Sequence, residues 1–131
     1  MEDFLKTLCD ELKMPVPIRN KEKVFVFPFS DTISVQCIDL EPGVAFLSTI
    51  HDCPKKKRED LFIWIMQANL LGQGTGGCRI GLDKEEKVLT LSFAIPYEID
   101  YRLFRERFED FVNYVTYWRE EIEKFEKQEV L

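Results

Sequence analysis

The chain has 131 residues, 45% hydrophobic and 32% charged, which excludes an intrinsically disordered polymer and fits one domain spanning 1–131. With 18 Lys+Arg against 24 Asp+Glu the formal net charge is -6. That balance disfavours nucleic acid and anionic lipid as partners.

The N-terminus, Met1-Glu2-Asp3-Phe4, is acidic where a signal peptide would be basic. No apolar run approaches the ~20 residues that span a bilayer. The expectation is a cytoplasmic chain with no membrane insertion. Asp3 is placed to cap a first helix over roughly 3–13, in which Phe4, Leu5, Leu8 and Leu12 recur at helical spacing. Pro15-Val16-Pro17 ends it.

Three strands are expected next. Lys23–Phe29 carries Val24, Phe25, Val26, Phe27 and Phe29, so both of its faces are apolar, and Pro28 marks a strand end or an edge. Thr32–Ile38 alternates Ile33, Val35 and Cys37 against Thr32, Ser34 and Gln36. Val44–Ile50, with Phe46 and Leu47, follows the turn Glu41-Pro42-Gly43 and is again apolar on both faces. The short connections suit an antiparallel meander.

A second helix is expected from about Lys57 or Glu59 to Leu71. Leu61 through Met66 are consecutive apolar residues and cover its whole circumference. One side covers the sheet, and the other calls for a second cover, most simply a partner subunit, with burial of the whole helix inside a single chain as the alternative. Gly72-Gln73-Gly74-Thr75-Gly76-Gly77 breaks this helix, with Gly72 as its left-handed terminator.

Two strands, about Cys78–Leu82 and Lys87–Ile95, flank the polar turn Asp83-Lys84-Glu85-Glu86. After Pro96 a long helix is expected from Ile99–Asp100 to about Lys127, capped by Asp100. Tyr101, Phe104, Phe108, Phe111, Val115, Trp118, Ile122 and Phe125 form a sustained seam along it. The expected fold is therefore α+β. Its order is α-β-β-β-α-β-β-α, with a twisted antiparallel sheet packed with three helices.

Few constellations suggest a reaction. The glycine segment follows a helix and precedes a strand, the reverse of a phosphate-binding loop, and lacks a Gly-Lys-Ser/Thr ending. His51 and Cys53 form a His-x-Cys pair, but His51 is the only histidine and no second ligand pair exists. The four cysteines, Cys9, Cys37, Cys53 and Cys78, are widely spaced and read as reduced, buried thiols. Lys55-Lys56-Lys57-Arg58 reads as a solvated loop, and the carboxylates of the last helix read as a solvated face. No catalytic residue, metal or cofactor is assigned. Eleven Phe exceed what one small core obviously requires. Two readings stand side by side: all of them lie in the core or a dimer interface, or some apolar rows form a surface that captures another polypeptide.

One stretch, with the element order, resembles the class I chaperones of bacterial type III secretion, the Tir chaperone family. It is Gln67-Ala68-Asn69-Leu70-Leu71-Gly72, then Gly76-Gly77-Cys78-Arg79-Ile80-Gly81-Leu82-Asp83. Leu89-Thr90-Leu91, Ala94-Ile95-Pro96 and a last helix with Phe108, Phe111-Val112 and Trp118-Arg119 complete the likeness. The resemblance implies a bacterial cytoplasmic homodimer with no cofactor and no enzymatic activity. It would hold the N-terminal region of one or more secreted effectors extended and secretion-competent, until the secretion ATPase receives it.

On this resemblance the effector-binding residues are expected among Phe4, Leu8, Phe25, Phe27, Phe29, Val35, Phe46 and Leu47. The dimer interface is expected among Ile63, Ile65, Met66, Leu70, Ile80 and Leu82. The seam of the last helix is assigned to the chain's own core rather than to a coiled coil. The alternative is a cytoplasmic adaptor or regulatory protein of the same fold whose ligand is not secreted.

Overall fold

The computed structural model describes residues 2–13, 24–30, 32–70 and 77–129. Their order is α1 (Glu2–Leu12), β1 (Val24–Phe27), β2 (Val35–Asp39), β3 (Val44–Asp52), α2 (Arg58–Asn69), β4 (Arg79–Leu82), β5 (Val88–Ile95) and α3 (Tyr101–Glu129), as expected. Several boundaries move for local reasons. β1 stops before Pro28, which has no amide to give a ladder. β2 begins at Val35 rather than Thr32, because Ser30 Oγ accepts the amides of Thr32 and Ile33 and winds that stretch into a turn. Asp3 lies inside α1, where its carbonyl accepts the Thr7 hydroxyl at 3.0 Å, and is not its cap. Gly72, expected to end the second helix, lies outside the described residues, and α2 ends earlier, at Asn69.

The strands form one sheet in the order β1-β2-β3-β5-β4, every neighbouring pair antiparallel. Phe25 pairs with Cys37, Cys37 with Phe46 and Phe46 with Phe93, so these four residues make a row across one face. Gly43 permits the β2–β3 turn. Its φ is 98°, and a Cβ there would collide with the carbonyl oxygen of Ile95. β3 and β4 are both antiparallel to β5 and so run parallel to each other, a connection that requires a crossover, here α2. Asp83 shapes the β4–β5 turn by accepting the amides of Val88 at 3.0 Å and Lys87 at 2.7 Å. Those bonds hold its carboxyl below the usual carboxylate range.

The seam of α3 packs on this sheet. Phe104, Phe108, Phe111, Val115, Trp118 and Ile122 are all at most 2% exposed. The ring of Phe46 lies 5.7, 5.6 and 5.5 Å from those of Phe104, Phe108 and Phe111. Further along β3, Arg119 Nη2 donates to the Thr49 carbonyl at 3.1 Å and Glu126 faces His51 at 3.8 Å. α3 therefore follows β3 along its length, and its seven-residue seam serves the chain's own core.

The other two helices join α3 on the same face. Leu5, Leu8 and Cys9 of α1 are buried, and Phe4 stands 5.3 Å from Phe104. Glu11 pairs with Arg105 at 2.6 Å. In α2, Trp64 lies 5.2 Å from Trp118 and 5.7 Å from Phe125. Asp100 caps α3 as expected, its Oδ1 accepting the Leu103 amide at 2.9 Å. Asp100→Ala is expected to cost about 1 kcal/mol. A urea titration would read this as a lower midpoint with unchanged slope.

Candidate functional site

α2 is apolar on every side, and the sheet uses only part of it. Leu61, Ile65 and Ala68 face inward, and α3 takes Trp64. Ile63, Met66 and Leu70 remain in solvent at 55%, 71% and 62% exposure. Between α2 and β4 lies a hollow of about 300 Å³, lined by Phe62, Ile65, Met66, Ile80, Leu82 and Leu89 among others. Of the six residues selected in the sequence for an interface, Ile65, Met66, Ile80 and Leu82 line this hollow, and Ile63 and Leu70 do not. Ile63, Met66 and Leu70 are exposed, Leu82 is half-buried, and Ile65 and Ile80 are buried.

The other predicted set divides. Phe25, Phe27, Val35 and Phe46 are at most 4% exposed, and Leu8 is 2% exposed. This corrects the expectation that these rows lie open to a ligand. The aromatic side of α3 and the inner side of α1 cover that face, as when the Phe27 ring meets Phe108 at 5.2 Å. Phe4, Phe29 and Leu47 keep part of their surface.

Leu47 is on the opposite face of the sheet, where no helix packs among the described residues. Val26, 41% exposed, Ile38, Ala45 and Ala94 share that face, and sequence reasoning passed over them. They were findable as the period-2 partners of the large buried residues. Two hollows of about 430 and 260 Å³ run along it, and Leu47 lines both. The first also takes in Ile38, Ala45, Ala94 and Arg79, and the second Val26, Gln36 and Thr90.

The groups with reactive potential are engaged elsewhere. The four cysteines are buried, and none of them forms a disulfide. Burial pushes the Cys37 thiol far up and Cys78 to about 11, so both hold their protons at neutral pH. His51 Nδ1 lies 2.8 Å from the Asp52 carbonyl oxygen. Arg58 Nη2 donates to Cys53 Sγ at 3.3 Å and to the Glu86 carbonyl at 2.8 Å. The last basic residue of the Lys55–Arg58 run therefore clasps the loop before α2 to the β4–β5 turn, while Lys55, Lys56 and Lys57 stay solvated. Among the described residues no group of three or more His, Cys, Asp or Glu could hold a metal ion. No helix there is long and apolar enough to cross a membrane.

The chain is thus an α+β domain whose helices share one sheet face, with a largely apolar hollow between α2 and β4 and two hollows of mixed polarity on the other sheet face. Residues 3–119 match the Tir chaperone protein (CesT) family, and the chain belongs to that family, the type III secretion chaperones. Solved structures agree in fold. A chain of the ExsC–ExsE complex superposes with a TM-score of 0.74 at 10% identity, over 91% of this chain and 90% of that one. A chain of the HopA1–SchA chaperone–effector complex gives 0.68 at 12% identity, over 90% and 91%. A chain of the complex of the Yersinia pestis type III secretion chaperone SycH with a stable fragment of YscM2 gives 0.65 at 14% identity, over 88% and 96%. No curated protein matches the sequence.

Proposed function

We propose that this chaperone works as a cytoplasmic homodimer without enzymatic activity, which holds the N-terminal region of one or more effectors extended until the secretion machinery takes it. The observation that carries the reading is the sheet face left without a helix, with Leu47 between its two hollows. An extended segment lays alternate side chains into such hollows. Phe4 and Phe29, partly exposed at the edges of the helical face, extend the apolar surface. The six α2–β4 residues form the contact between copies. The secretion ATPase is the receiver of the loaded complex.

The test is binding of a labelled N-terminal segment from an effector of the same organism, measured by fluorescence anisotropy. Leu47→Asp is expected to weaken binding at least tenfold, since losing the burial of one leucine is worth about 1.5–3 kcal/mol. Its circular dichroism and melting should stay close to wild type. Unchanged affinity in a folded Leu47→Asp variant would move the site off this face. Capture of only non-secreted ligands would favour the adaptor reading.

A further inference from the structure

Asn69, the last helical residue of α2, turns its side chain toward β4. Its Nδ2 donates to the Ile80 carbonyl oxygen at 3.0 Å, and its Oδ1 accepts the Ile80 amide at 2.9 Å. One side-chain amide thus satisfies both backbone groups of one residue, as a paired residue on a neighbouring antiparallel strand would. Ile80 stands opposite Leu91 of β5, and its two backbone groups point away from β5, over the outer edge of the sheet. β4 is only four residues long, so Asn69 occupies the middle of that edge.

We infer that Asn69 is a strand mimic that blocks β4 against backbone pairing with another chain, so that copies meet only through the side chains of α2 and β4. An exposed edge beside apolar residues is a template for unwanted pairing, and natural sheets cover or interrupt such edges. Here the need is acute, because Met66, Leu82 and Phe62 line the adjoining hollow. A chain with an open β4 edge and an apolar α2 face would carry two self-associating patches. Two patches on one chain allow growth beyond a closed pair, whereas one isologous patch stops at two. The inference rests on the homodimer reading for the statement of what the block protects. The block itself does not depend on it.

The experiment uses the full chain with Asn69→Ala, which removes both bonds, and Asn69→Asp, which keeps only an acceptor for the Ile80 amide. Sedimentation velocity over a range of concentrations reads assembly size, and amide hydrogen exchange reads Ile80. In Asn69→Ala, Ile80 exchange is expected to speed up at least tenfold at low concentration, with species larger than the wild-type assembly appearing as concentration rises. Asn69→Asp should show the same growth with partial retention of Ile80 protection, and it serves alone if Asn69→Ala does not fold. Lost Ile80 protection with an unchanged size distribution would overturn the inference and leave Asn69 as a link between α2 and β4. Wild-type protection no greater than in the variants would overturn it as well. A wild-type chain that is monomeric throughout would defeat the homodimer reading. Growth of the variants from that monomer would still uphold the block.

Discussion

Phe108→Ala is expected to destabilise the fold by about 3–5 kcal/mol, a large share of the 5–15 kcal/mol typical of a whole domain. Phe108 is 1% exposed, and its ring lies 5.2, 6.1, 5.6 and 6.2 Å from those of Phe27, Phe29, Phe46 and Phe104. Truncation removes the burial of one ring and leaves a cavity whose walls belong to three different elements. Those walls cannot close without moving the sheet against α3, so the cost should fall in the upper part of the range for core deletions. At a slope of about 1–3 kcal/mol per molar urea, the midpoint should drop by more than 1 M. Tyr117→Ala, at a residue 49% exposed on the same helix, is the control and should shift it little. Equal effects of the two changes would show that the aromatic cluster is not the core of this domain.

Met66→Asp should leave the single chain folded and abolish the proposed homodimer. Met66 is 71% exposed, so the aspartate costs the isolated chain almost nothing. On a two-fold interface the same patch meets itself, so two carboxylates would enter one apolar contact. A buried, unpaired charge and its like-charged copy should weaken association at least a hundredfold, about 3 kcal/mol. Light scattering at micromolar concentration should then read the mass of one chain, 15.5 kDa, for the variant and of two for the wild type. An unchanged mass in the variant would place the contact between copies away from α2.

The two predictions differ in how much of each was readable from the chain. The seam that includes Phe108 was legible, because spacing of three and four residues over eight positions can only describe one side of a helix. Its role inside a single chain, rather than in a coiled coil, needed Phe46, whose ring reaches three of those positions. The apolar girdle of α2 was also legible, and so was its need for more than one cover. Which residues remained outside was not. Ile63 and Ile65 are two apart and equally apolar, yet one is 55% exposed and the other 6%.

The strands show the same limit more sharply. β1 carries Val24, Phe25, Val26 and Phe27, apolar on both faces, so alternation there is silent about which side turns inward. The helices decided it. The ring-lined side of α3 packs against the phenylalanine rows, which left Val26, Ile38 and Leu47 on the uncovered side. That is why five of the eight residues selected for ligand contact proved to be core.

The sequence by itself determined the element order, the α+β class, the cap at Asp100 and the core-facing side of α3. These follow from local periodicity, turn chemistry and capping, each legible within a few consecutive residues. Only the tertiary structure decided that β4 lies outside β5, that the helices share one face, and that Asn69 closes the edge at Ile80, eleven positions along the chain. Those outcomes depend on which distant surfaces bury one another. A local pattern states that a surface is apolar and leaves its cover to the rest of the fold.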